Sequence, residues 1–115
     1  MKHELAARVY LRRTLVRARL IPDADERLRA LIREAEILLR AGSRDARHVM
    51  LCAALLDLHV ARDLATALGG RDDRDASVAL ATADRLIERR ERPAEDIAVW
   101  AAILAEWIAR RGGVL

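Results

Sequence analysis

The chain has 115 residues and a net charge of +3, with 34% charged and 53% hydrophobic residues. This length suffices for one domain with a modest core. The balance of charged and apolar residues excludes a disordered chain, and no uncharged run approaches the roughly 20 apolar residues of a membrane span. The single cysteine excludes an intramolecular disulfide, and the N-terminal segment lacks the pattern of a signal peptide. We therefore expect one helical domain over 1–115 in the reducing cytoplasm.

The helix formers Ala, Leu, Arg and Glu dominate the composition, whereas five Gly and two Pro leave little turn chemistry. The first predicted helix covers about residues 2–20 and is stopped by Pro22, which pushes the residue before it out of the helical region. The second helix is predicted from an N-cap at Asp23 to about Arg40, with Glu26 at capping-box spacing and Gly42 after its end.

Three further helices are delimited by N-cap residues, proline and glycine in the same way. The third and longest covers about residues 43–68, opened by Ser43 and closed by the Gly69-Gly70 pair. The fourth starts at Asp73 or Asp75 and reaches about residue 91. Pro93 lies in the first turn of the fifth helix, which ends at 110–111 before two glycines. The short connections favour antiparallel neighbours, so we predict an all-α, compact bundle of about five helices.

The composition is also unusual in what it lacks, because Phe, Asn and Gln are absent and Lys2 is the only lysine. In its strong helix formers, short loops and polar surfaces of Arg, Glu and Asp, the sequence resembles computationally designed helical bundles. The resemblance covers the whole chain and implies a de novo protein, made by recombinant expression and similar to designed bundles that bind haem.

The third helix carries apolar residues around its whole circumference, so it is predicted to be central and buried. Its polar residues are informative, because a buried polar group is normally paired or functional. Six of them fall within roughly 60° of one another on the helix surface: Asp45, His48, Cys52, His59, Asp63 and Thr66. We interpret this stripe, with Leu55 and Leu56, as the wall of a pocket. The alternative is a half-exposed seam around a buried thiol.

The spacing along this stripe limits the metal chemistry. His48 and Cys52 are one turn apart, but His59 lies about 16 Å from His48 along the axis, so this helix alone cannot form a tetrahedral zinc site. A haem iron needs only one axial ligand in an apolar slot. We therefore predict haem binding, with Cys52 as the metal ligand and His59 or His48 as competing ligands. Bound haem would permit peroxidase-like or group-transfer chemistry.

The predicted partner is thus a small flat apolar ligand or cofactor. Arg8, Arg12 and Arg19 of the first helix are candidate partners for haem propionates, although arginines of this kind also extend from plain helix surfaces. Elsewhere arginines are mixed with acids, a pattern that does not favour nucleic-acid binding. The expected assembly is a monomer or a small homo-oligomer.

Asp57 projects from the opposite side of the third helix. A carboxyl group buried alone there would have a raised pKa and is a candidate general base, whereas an arginine from a neighbouring helix would neutralise it. The sequence has no Gly-rich phosphate loop, no serine nucleophile beside a base and no Cys-x-x-Cys motif. A scaffold or protein-interaction bundle with no small-molecule site is therefore the alternative from another class of function.

Overall fold

A computed structural model describes residues 2–90 and 92–113, which form five α-helices and no strand. The helices are α1 Lys2–Arg19, α2 Glu26–Ala41, α3 Ala46–Ala67, α4 Arg74–Arg89 and α5 Ala94–Arg110. A single 3₁₀ turn, Gly70–Asp72, connects α3 to α4. The predicted all-α bundle is confirmed. The predicted end of the fourth helix at residue 91 lies outside the described residues.

The long helix α3 is the axis of the bundle and contacts all four other helices. Around it, α1 packs on α2 and α4 packs on α5, while the described parts of α1 and α5 do not contact each other. Leu56, Leu58 and Val60 at the middle of α3 are buried in the core. Because α3 is surrounded, its apolar side chains point in all directions, and its predicted central position is confirmed.

The start of α2 differs from the prediction. The N-cap is Asp25, whose Oδ1 accepts a hydrogen bond from the backbone N–H of Leu28 at 2.8 Å. Asp23 instead has a φ of 54°, in the left-handed region that Asp tolerates better than most residues. The chain uses Pro22 and Asp23 to turn after α1, so the capping box of Asp23 with Glu26 was wrong.

Of the starts of α3 and α4, the first differs from the prediction and the second agrees with it. For α3 the N-cap is Asp45, which accepts from the backbone N–H of His48 at 3.2 Å. Ser43 lies before the helix and its hydroxyl accepts from the N–H of Asp45, so the predicted start at Ser43 was two residues early. Asp73 is confirmed as the start of α4, because its Oδ1 accepts from the N–H groups of Asp75 and Ala76.

Within residues 2–90 and 92–113, no helix combines the length and the apolar content that crossing a bilayer demands.

Candidate functional site

The predicted stripe on α3 does not form one continuous wall. His48 lies at the surface, and its Nε2 is 2.9 Å from Oε1 of Glu34 on α2. Cys52, Leu55, Leu56 and His59 are all buried in the core instead. The structure therefore separates the exposed His48, which contacts Glu34, from the buried segment that includes Cys52 and His59.

Cys52 is enclosed against α2. Its Sγ lies 3.9 Å from the carbonyl oxygen of Leu31, the weak hydrogen bond of a neutral thiol. Burial, helped by the charge of Glu34, raises the pKa of the thiol to about 12. A metal ligand requires the thiolate, and these surroundings keep the thiol protonated. They therefore favour a role for Cys52 as a small apolar core residue over a role as a metal ligand.

A cleft separates α2 from α4 and has α3 as its floor. We call it the α2–α4 cleft; its volume is about 210 Å³, and its lining includes Leu31 and Glu34 of α2, Leu55 and His59 of α3, Ile87 of α4 and Arg90. Arg90 lies within 3.4 Å of the Glu34 carboxylate and links the two walls. The cleft is thus apolar at its buried residues and charged at its edge, where the exposed Arg27 and Glu88 also line it.

His59 is the polar residue at the floor of this cleft and is fully buried. Its Nδ1 lies 3.3 Å from Nη2 of Arg62. Because a guanidinium only donates hydrogen bonds, Nδ1 accepts and the ring proton lies on Nε2. Burial and then the charge of Arg62 lower the pKa of His59 to about 4, so the ring is neutral at pH 7.

The Nε2–H donor of His59 has no hydrogen-bond partner among the described residues. A buried donor left without a partner costs about 1–3 kcal/mol relative to one that is satisfied. Most buried polar groups in proteins are paired, with protein or with water. His59 is therefore a cleft-lining residue with an unused hydrogen-bond donor.

Arg62 fixes the orientation of this imidazole. Its side chain is only 15% exposed, and its guanidinium lies within 3.2 Å of carboxylate oxygens of Asp25 and Asp63 and within 3.6 Å of Asp84. These acids belong to three different segments of the bundle. The guanidinium is therefore held from several sides while it donates to His59.

A second, larger groove runs between α1, α3 and the start of α5, with a volume of about 650 Å³. Its lining is largely aliphatic, from Ala6, Met50, Leu51 and Pro93, and its charged residues Arg47, Arg92 and Glu95 are exposed. None of the residues predicted to bind a cofactor lines this groove. It has room for a cofactor but presents no buried polar group of the described residues to one.

Asp57 is neither alone nor fully buried. The hydroxyl of Tyr10 donates to its Oδ2 at 2.7 Å, and Nη1 of Arg17 lies 3.9 Å from its Oδ1. Burial and the neighbouring carboxylate raise the pKa of Tyr10, which keeps the phenol a donor. An arginine from a neighbouring helix thus lies beside Asp57, as the alternative predicted. The contact with Tyr10 was not predicted, because the two residues lie 47 positions apart in the sequence.

The candidate propionate partners on α1 are engaged elsewhere or exposed. Nη2 of Arg8 donates to the carbonyl oxygens of Gly42 and Ser43 at 2.6 and 3.1 Å, satisfying the end of α2. Arg19 pairs with Glu36 at 2.9 Å, and Arg12 is exposed. None of the three lines the α2–α4 cleft.

Metal ligation was considered for the whole described chain. Residues 2–90 and 92–113 contain no group of three or more His, Cys, Asp and Glu side chains placed to hold a metal ion. Comparisons with known families, with characterised proteins and with solved structures give no match to this chain.

Proposed function

We propose that the protein binds a small planar molecule in the α2–α4 cleft and recognises it through His59. The observation that carries this proposal is the unused Nε2–H donor of His59, a buried residue that lines the cleft. A bound acceptor atom would satisfy the donor and remove the cost of leaving it unpaired. The neutral ring, fixed by Arg62, is already in the form that donates.

The lining of the cleft defines the class of ligand. Leu31, Leu55 and Ile87 supply apolar surfaces, and His59 supplies one N–H. The charged residues that line the cleft, Arg27, Glu34, Glu88 and Arg90, lie nearer to solvent. This combination suits an apolar molecule with one acceptor, such as an aromatic ring nitrogen or a carbonyl oxygen. The volume of about 210 Å³ is below the 300–1,000 Å³ of typical ligand sites, so the ligand is small.

Haem does not fit the residues predicted for it. Cys52 is enclosed with a protonated thiol, and His59 carries a proton on Nε2 where an iron ligand needs a lone pair. Moving that proton to Nδ1 would turn an N–H toward the Arg62 guanidinium. Haem binding, with its peroxidase-like or group-transfer chemistry, stays a prediction, as does the designed origin. Haemin titration of the wild type, Cys52→Ala and His59→Ala tests it by the Soret band.

The scaffold alternative is favoured by a separate observation. Both α1 and α5 keep large apolar side chains on faces that the bundle leaves exposed, including Leu5 and Val99. Single exposed apolar residues are ordinary, but clustered ones mark contact surfaces. Protein interaction and ligand binding use different parts of this molecule, so the two proposals are tested independently.

The test of ligand binding compares two molecules of the same shape. Quinoline has a ring nitrogen that accepts a hydrogen bond, whereas naphthalene lacks it. We expect quinoline to perturb the NMR signals of His59, Leu55 and Ile87 and to bind about tenfold more tightly than naphthalene, the value of one good hydrogen bond. His59→Phe should abolish that difference, while His48→Phe at the surface should preserve it.

Two outcomes would overturn the proposal. Equal affinities of the wild type for quinoline and naphthalene would mean that the Nε2–H donor does not recognise the ligand. Binding of neither molecule would mean that the cleft does not take a small planar ligand.

A further inference from the structure

The outer face of α1 is apolar although it points away from the core. Four side chains that are 37–77% exposed recur along it, namely Leu5, Val9, Val16 and Leu20, the last directly after the helix. At 100° per residue they fall within about 60° of one another. Exposed Arg12 and Arg13 lie on the two sides of this stripe. We call these six residues the basic face.

The outer face of α5 has the same layout with the opposite charge. Val99 and Ile103 are 56% and 41% exposed and lie one turn apart. The exposed acids Glu95 and Asp96 fall on the two sides of this pair at helical spacing. We call these four residues the acidic face. Arg110, further along α5, is paired with Glu106.

The two faces cannot meet within one chain. In the described structure α1 and α5 contact α3 but not each other, and both faces are turned to solvent. Pairing two basic faces would bring arginines together, and pairing two acidic faces would bring carboxylates together. Like charges placed opposite each other suppress both of these symmetric contacts. Each face therefore complements the other face of a different molecule.

We propose that the chain self-associates head to tail, with the basic face of one copy packed on the acidic face of the next. A contact between two different faces does not close as a twofold dimer, so it continues into a ring or an open chain. The acidic face has two apolar side chains, which places the contact among small, transient interfaces. The association is expected to be weak, to increase with concentration and to weaken in salt.

The experiment is sedimentation velocity on the full chain over a range of concentrations, at low and at high salt. Arg12→Glu with Arg13→Glu reverses the basic face, and Glu95→Arg with Asp96→Arg reverses the acidic face. Each double variant alone is expected to associate at least about tenfold more weakly than the wild type. An equimolar mixture of the two should associate again, because each supplies the charge that the other has lost. Arg33→Glu on α2 is the matched control and should behave as the wild type does.

Charge reversal in the first turn of α5 also opposes the helix dipole. Circular dichroism checks that this variant folds, and Glu95→Gln with Asp96→Asn is the milder replacement. A wild type that is monomeric at every concentration would overturn the proposal, and so would variants that associate as strongly as the wild type. Binding of the monomeric wild type to phosphatidylserine vesicles would instead assign the basic face to a lipid surface.

Discussion

Nη2 of Arg62 lies 3.3 Å from Nδ1 of His59, one helical turn earlier on α3. This contact determines which ring nitrogen carries the proton, because the guanidinium offers no lone pair. It also places a positive charge beside an imidazole that burial already keeps neutral. The pair converts a histidine that the sequence suggested as a metal ligand into a hydrogen-bond donor.

The buried His59 is expected to make stability depend on pH. In the unfolded chain the imidazole takes up a proton near pH 6.5, whereas in the folded protein its pKa is about 4. Between these values the unfolded state binds more protons, so the free energy of unfolding falls as the pH falls, by on the order of 3 kcal/mol in total. Urea unfolding of the wild type and His59→Gln between pH 7.5 and 4 measures this difference.

The control for that measurement is Val60→Ala, which truncates a buried side chain on the same helix without removing an ionisable group. It is expected to lower the free energy of unfolding at every pH and to keep the pH dependence of the wild type. An unchanged pH dependence in His59→Gln would contradict the low pKa of His59.

Cys52 is expected to react slowly with thiol reagents. Its thiol is fully buried and its raised pKa leaves almost no thiolate at pH 8. Ellman's reagent should modify the folded protein far more slowly than the protein in urea. Cys52→Ala should cost about 1 kcal/mol of stability, as a small loss of core volume does. Equal rates in the folded and unfolded protein would show that the sulfur is accessible.

Periodicity predicted the fold well, because the helices bury the faces that their spacing indicates. Leu28, Leu31 and Leu38 of α2 recur at helical spacing and are buried together. The helix starts were less predictable, because Asp23 and Asp25 are both good N-caps by residue type. The choice between them depends on the turn that follows Pro22, which is a tertiary requirement.

Only part of the candidate site could be predicted from the sequence. His59 was identified as an anomalous residue of a buried helix, and the i, i+3 spacing of Arg62 is a local signal that was not used. The contact of His48 with Glu34 joins two helices, so no local pattern reports it. The cleft itself arises from the separation of α2 and α4, which depends on how both pack on α3.

The two aspartates before α2 are expected to respond in opposite ways. Asp25→Ala removes the cap on Leu28 N–H and should cost about 1 kcal/mol of stability. Asp23→Gly relieves a non-glycine residue with a φ of 54° and should stabilise the protein. Thermal unfolding of the two variants and the wild type measures both effects. A loss of stability in Asp23→Gly, with none in Asp25→Ala, would restore Asp23 as the cap.

The contact between Tyr10 and Asp57 is expected to stabilise the packing of α1 on α3. Tyr10→Phe deletes the donor of a 2.7 Å hydrogen bond and should cost about 1 kcal/mol. A double-mutant cycle with Asp57→Asn isolates the pair, because the second change should cost less once the first is made. Additive effects of the two substitutions would show that the hydroxyl and the carboxylate are not coupled.

Arg62 is expected to control both the ionisation of His59 and the link between three acidic residues. Arg62→Met removes a charge that lowers the pKa of His59, so that pKa should rise, while burial keeps it below 6.5. The same change leaves Asp25, Asp63 and Asp84 without this partner, at a cost of about 1 kcal/mol because these acids are partly exposed.

An NMR titration of the imidazole C–H signals measures the pKa. Arg71→Met, which loses only the contact with Asp84, is the control and should leave the His59 signal unchanged. An unaltered pKa in Arg62→Met would mean that the guanidinium does not act on the ring, and the Nε2–H tautomer would then lose its physical basis.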